Sequence, residues 1–162
     1  ETIEKIGKIR AKMPGCTIRT SIITGFPGET EEQFNELYEF VKETRFDRMG
    51  VFAYSQEEGT AAAEFDNQID EDVKNERLDK LMTLQQEISL ELNRAKIGSE
   101  IEVITEGYDE ENYLFYGRSR GDSIDVDGKV YFGTEEEVSP GDIVTVKILD
   151  ADEYDLTGQR VE

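Results

Sequence analysis

The sequence predicts two unlike parts in tandem: an α/β segment built on a strand–helix–strand unit, then a small five-stranded antiparallel β-barrel of the oligonucleotide-binding type. Three observations predict it. Apolar runs at residues 17–24 and 48–53 flank a helix with a strong start signal. From Glu100 onward the apolar period changes from helical to two. Turn residues at Gly107, Asp127-Gly128, Gly133 and Pro140-Gly141 then cut the chain into short strands. The boundary is placed so that the parts are residues 1–96 and 97–162.

Taken in order, Ile3, Ile6 and Ile9 stand three apart among lysines and arginines, which predicts a helix over residues 3–12 that Pro14-Gly15 ends. Residues 17–24 finish in Ile22-Ile23, a β-branched pair suited to a strand buried on both faces. After Gly25-Phe26-Pro27-Gly28, the run Thr30-Glu31-Glu32-Gln33 is a capping box: the Thr hydroxyl accepts the third helical amide and the Gln side chain returns to the cap. Phe34, Leu37, Tyr38 and Val41 then form one apolar stripe, and the helix ends near Arg45. Arg48 to Ala53 is the second strand. Strand, helix, strand in this order gives parallel strands, with both following loops on the carboxyl-end face where α/β proteins hold ligands.

Residues 61–69 read as a connecting loop, followed from about Asp70 by a long helix. Leu78, Leu81, Met82, Leu84, Ile88, Leu92 and Ala95 supply its buried face, and Gly98 is placed to cap its end. Five strands follow, around Ile101 and Val103 and at residues 113–116, 130–132, 143–149 and 154–161. Two strands in the first part cannot close a barrel and leave two bare edges, so further sheet or a partner is expected beside them.

Charge separates the two parts. Lys and Arg total 18 against 38 Asp and Glu in 162 residues, net −20. Residues 1–96 hold 20 acids and 13 bases, net −7, while residues 97–162 hold 18 acids and 5 bases, net −13. Nucleic-acid binding draws its affinity from Lys and Arg on phosphates, so this balance disfavours RNA and favours a basic protein partner. Acid excess also serves solubility alone.

There is no histidine and one cysteine, Cys16. That excludes an intrachain disulfide and a multi-cysteine metal site within this sequence, and points to a reduced, cytoplasmic setting. No apolar run approaches the ~20 residues that cross a bilayer, so no membrane role is expected. No acid–base pair, nucleophile constellation or phosphate loop is present, so no catalytic residue and no metal ligand is assigned.

Two loops carry the candidate binding residues. In Gly25-Phe26-Pro27-Gly28-Glu29-Thr30, glycines let backbone approach a ligand at a helix N-terminus, although the same letters make an ordinary tight connection. In Tyr54-Ser55-Gln56-Glu57-Glu58-Gly59-Thr60, hydroxyls and carboxylates could meet a substrate or only water. Arg19 is read as a salt-bridge partner.

Together, Arg19-Thr20-Ser21-Ile22-Ile23-Thr24-Gly25-Phe26-Pro27-Gly28-Glu29-Thr30, Phe46-Asp47-Arg48-Met49-Gly50-Val51-Phe52-Ala53-Tyr54-Ser55 and Glu57-Glu58-Gly59-Thr60 resemble the methylthiotransferase branch of the radical SAM enzymes. The β segment resembles the TRAM domain that ends these enzymes. The resemblance implies that residues 1–96 are the last βα units of a partial parallel, TIM-like barrel that holds S-adenosylmethionine, with two 4Fe-4S clusters in the full-length enzyme. It implies that Gly25, Phe26, Pro27, Gly28 and Glu29, with the backbone of Val51, Phe52 and Ala53, lie near the cofactor, and that Tyr54, Ser55 and Thr60 face the substrate. The branch's Cys-x3-Cys-x2-Cys motif is absent, and a cluster needs several thiolates, so this chain alone is expected to be inactive. The pattern Tyr54-Ser55-x-Glu57-Glu58-Gly59-Thr60 is similar to members that methylthiolate an aspartate of ribosomal protein S-twelve. Relatives that modify tRNA tend to have Pro and Arg in place of Glu57 and Glu58. A tRNA methylthiotransferase fragment and a non-enzymatic β-barrel interaction module are the alternatives.

Overall fold

The computed structural model describes residues 1–161, which divide into two compact units, Glu1–Ile88 and the residues from Ser89 onward. In the first, helix α1 (Thr2–Lys12) precedes strand β1 (Arg19–Thr24), helix α2 (Glu31–Thr44) and strand β2 (Arg48–Ala53). A short 3-10 turn (Ala61–Glu64) leads to helix α3 (Glu71–Arg94). β1 and β2 pair in parallel, in register from Arg19 opposite Arg48 to Thr24 opposite Ala53, and form a sheet of two strands. This is the partial α/β arrangement expected from the sequence.

Local signals account for the boundaries. The Thr30 hydroxyl accepts the Gln33 amide at 3.2 Å and the Gln33 side chain accepts the Thr30 amide at 3.0 Å, so both halves of the capping box are made. Thr30→Ala is therefore expected to cost about 1 kcal/mol, measured as a lower thermal midpoint of the first unit's helical signal. At the other end Arg45 caps the helix in the left-handed region, φ 52°, its amide donating to the Val41 carbonyl, and α1 adds a side chain to the remaining carbonyls. Arg10 donates to the carbonyls of Thr44 at 2.6 Å and Arg45 at 2.7 Å, which places a cation against the negative end of the helix. Phe34, Val41, Phe46, Val51, Leu81, Leu84 and Ile88 are the buried apolar side chains of this unit.

Two expectations are corrected here. Ile22-Ile23 does not lie in a strand buried on both faces: the strand alternates, and Ile23 is 55% exposed, because the described residues cover only one face of the two-stranded sheet. Ala95 is exposed and lies beyond the end of α3. Its place on the buried side is taken by polar residues, since Lys74, Arg77, Gln85, Ser89 and Asn93 are all buried along that helix.

In the second unit strands β3 (Glu100–Asp109), β4 (Leu114–Ser119), β5 (Val130–Gly133), β6 (Ile143–Ala151) and β7 (Leu156–Val161) close a barrel in the order β3-β4-β5-β7-β6. All neighbours are antiparallel except β5 and β7, which run parallel. The expected five-stranded barrel is present, with one mixed seam. Alternate residues point inward: Val103, Val130, Phe132, Val144, Val146, Ile148 and Leu156 form the core, with Ile101, Phe115, Val138 and Ala151 packed against it. Phe115 stacks on Phe132 at 5.9 Å between ring centroids. The last turn of α3 is tied to the barrel through Asn93, whose side-chain amide donates to the Asp152 carbonyl at 3.0 Å. Gly98, in the left-handed region, donates its amide to the Ile148 carbonyl at 2.8 Å. No helix among the described residues is long and apolar enough to cross a membrane.

Candidate functional site

The carboxyl ends of β1 and β2 and the loop after β2 enclose an open cleft of about 560 Å³. Ser21 and Ile23 line it from β1, Phe52 and Ala53 from β2, and Tyr54, Ser55, Glu57, Thr60 and Ala62 from the loop and 3-10 turn. Ser21, Ile23 and Phe52 belong to the uncovered face of the sheet, where Ile23 and Phe52 are 55% and 57% exposed, and Ala53 borders the cleft at the end of β2. A cleft of this size, mostly apolar with a few hydroxyls, suits a small organic ligand with a flat apolar part and a polar edge.

Of the sequence-predicted residues, Phe52, Ala53, Tyr54, Ser55 and Thr60 line the cleft. Val51 does not: its side chain is buried on the opposite face, so it can offer only backbone. Gly25, Phe26, Pro27, Gly28 and Glu29 form the neighbouring loop. The two loops meet through rings, Phe26 lying edge-on to Tyr54 at 5.4 Å and to Phe65 at 6.2 Å. Tyr54 donates its amide to the Thr24 carbonyl at 2.9 Å, while its buried hydroxyl has no hydrogen-bond partner. A buried hydroxyl without a partner is costly.

The first loop is stiff because it satisfies itself. Gly25 donates its amide to Glu29 Oε1 at 3.0 Å, Glu29 its amide to the Phe26 carbonyl at 2.9 Å, and Gly28 its amide to the Asn67 carbonyl at 2.9 Å. Gly25 and Gly28 both have positive φ, at 71° and 86°, and each is covered closely by another side chain, Lys74 and Asn67 respectively. A side chain at either position would meet both a backbone penalty and a neighbour. In the second loop Ser55 donates to Glu57 at 2.7 Å, and the Thr60 hydroxyl donates to the Glu57 carbonyl at 2.8 Å while accepting the Ala63 amide at 3.3 Å. Thr60 thus starts the 3-10 turn as well as bordering the cleft.

Sequence reasoning missed Ser21 and Ile23, although period two from Arg19 places them on one face of β1. It also missed Lys74 and Arg77, two cations on the buried stripe of α3. Their signal was an i, i+3 pair of cations in line with Leu78 and Leu81, for which burial demands acidic or carbonyl partners. Arg77 pairs with Glu29 at 2.7 Å and Glu31 at 3.2 Å.

No group of three or more His, Cys, Asp or Glu among the described residues is placed to hold a metal ion. In the barrel Arg118 is paired with Glu106 at 2.8 Å and Arg160 with Glu136 at 2.7 Å.

Residues 97–161 match the family model of the TRAM domain. Over 162 residues the chain is 50% identical to "Ribosomal protein uS12 methylthiotransferase RimO" of Pelotomaculum thermopropionicum, covering 99% of this chain and 36% of that protein. Identity to proteins of the same name is 50% over 156 residues in Clostridium botulinum, covering 96% of this chain and 35% of that protein. In Desulforamulus reducens it is 52% over 158 residues, covering 97% of this chain and 36% of that protein. The chain therefore spans about a third of the length of these relatives. The family likeness read from the two loops and the β segment extends along the whole chain.

Proposed function

We propose, from its place in the RimO methylthiotransferase family, that this chain is the C-terminal portion of an enzyme that adds a methylthio group to an aspartate of ribosomal protein uS12. The observation that carries this is the identity of about half its residues, over nearly its whole length, to proteins of that name. A ribosomal substrate makes the reaction cytoplasmic.

When bound, S-adenosylmethionine and the two iron-sulfur clusters would supply the radical and sulfur chemistry. This chain's donor set does not fit a cluster: it has one cysteine, and cluster ligation takes several thiolates. Its cleft fits an adenosine better. Ile23, Phe52 and Ala53 offer an apolar wall, and the exposed Ser21 offers a polar contact at its edge. In this assignment Gly25, Phe26, Pro27, Gly28 and Glu29 and the backbone of Val51, Phe52 and Ala53 hold the adenosine side. Tyr54, Ser55 and Thr60 face the substrate.

The barrel, residues 97–162 at net −13, is assigned the docking of the basic ribosomal protein. Exposed Glu110, Glu111, Glu135 and Glu137 supply the field, and the pairing of Arg118 and Arg160 leaves few cations for phosphate. The test is to titrate the chain with purified uS12 and, separately, with tRNA in about 0.15 M salt, where surface charges act over ~8 Å. Capture of uS12 that weakens as salt rises, with tRNA left free, is expected. Tight, salt-sensitive capture of tRNA would overturn the assignment in favour of a tRNA methylthiotransferase.

A further inference from the structure

We propose that Lys74 and Arg77 are positioning residues: two buried cations, one turn apart on α3, that fix the loops after β1 and β2 in one geometry. The inference rests on the assignment of those loops to the cofactor.

Both cations are almost inaccessible, Lys74 at 2% and Arg77 at 6% exposure. Lys74 serves the loop after β2: its ammonium donates to the Tyr54 carbonyl at 3.2 Å, pairs with Glu71 at 2.5 Å, and lies 5.4 Å from the centre of the Tyr54 ring. It also serves the loop after β1. Its own carbonyl accepts the Thr24 hydroxyl at 3.3 Å, and its aliphatic stem closes over Gly25, where a Cβ would overlap it. Arg77 serves the first loop and the start of α2. One guanidinium nitrogen donates to Glu29 Oε1 at 2.7 Å and to the Glu29 carbonyl at 3.2 Å; the other reaches Glu31 at 3.2 Å. The same Glu29 oxygen accepts the Gly25 amide, so a single atom joins α3 to both ends of the loop.

Packing alone does not explain this arrangement. Apolar side chains of similar volume at two buried helix positions generally do as well or better than charges, which must be stripped of water. What only these cations supply is a fixed distance between the Tyr54 carbonyl, the Glu29 carboxylate and the helix. A ligand held by both loops needs that distance, because small displacements of binding groups are expensive in affinity and rate.

The test uses the full-length enzyme with Lys74→Met, Lys74→Arg, Arg77→Met, Arg77→Lys and Glu29→Gln. Equilibrium binding of S-adenosylmethionine and amide hydrogen exchange of residues 25–29 and 54–60 are measured in the folded state, with thermal midpoints as the stability control. Lys74→Met and Arg77→Met are expected to weaken binding about tenfold or more and to speed exchange, Lys74→Met in both segments and Arg77→Met in residues 25–29 only. Lys74→Arg and Arg77→Lys should recover part of both effects at similar thermal midpoints. Glu29→Gln, which keeps the acceptor for Gly25 but loses the charge, should give a smaller change and covers the case in which a Met variant does not fold. Lower midpoints with unchanged exchange in both segments and unchanged cofactor affinity would overturn the proposal. Failure of the cofactor assignment is told apart by Phe52→Ala: if this change in the cleft leaves affinity unaltered, that assignment falls. The exchange pattern then still decides the role of the two cations.

Discussion

Phe132→Ala is expected to lower the stability of the barrel by about 3–5 kcal/mol, the range for truncating a buried aromatic side chain. Phe132 is fully buried, faces the core between Phe115 of β4 and Gly158 of β7, and stacks on the Phe115 ring. It therefore supports both neighbours of the shortest strand at once. Gly158 offers no side chain that could move into the space. A small barrel has a net stability of only about 5–15 kcal/mol, so the loss is a large share of it. Amide exchange of residues 97–161 checks this directly, because it reads the barrel separately from the first unit. Exchange protection should fall by orders of magnitude across all five strands. A loss confined to β5 would instead mean that the barrel opens strand by strand.

The second large effect is expected from adding atoms. Gly117 lies in β4 opposite Thr105, and a Cβ there would point into the Ile104 carbonyl and the Val103 side chain. The carbonyl is main chain and cannot rotate aside as a side chain would. β3 and β4 must separate to admit even one methyl group, so Gly117→Ala is expected to cost about 3 kcal/mol, the upper end for overpacking. Denaturant unfolding followed by tyrosine fluorescence, set beside the wild-type chain, measures it. A change under about 0.5 kcal/mol, as at ordinary surface positions, would show that the strands have slack there.

The parts of the fold legible in the sequence are those set by neighbours along the chain. The capping box at Thr30 and Gln33, the apolar stripe of α2 and the alternation of Val144, Val146 and Ile148 each need only a few residues to be seen. What was not legible depends on distant partners. Arg77 and Glu29 are 48 positions apart, so nothing near Arg77 announces that a carboxylate awaits it. Ile22-Ile23 shows the same limit: a β-branched pair specifies a strand, whereas which face is covered depends on elements elsewhere. The parallel seam was hidden for a related reason, since period two identifies strands but does not say which strands pair. Within the candidate site, the loops were found through glycines and hydroxyls; the residues that hold those loops lie on a helix whose buried face was read from its apolar residues alone.

The parallel seam between β5 and β7 also bears on how quickly the barrel can form. β3–β4 and β6–β7 are antiparallel neighbours along the chain and can form early as local units. β5 and β7 cannot zip from a turn, because β6 lies between them in sequence and the loop must close before any pairing rewards it. The slowest step is thus expected to be the docking of one preformed hairpin onto the edge of a four-residue strand. Substitutions along that seam, and within the β3–β4 and β6–β7 pairs formed before it, should therefore slow folding more than they speed unfolding.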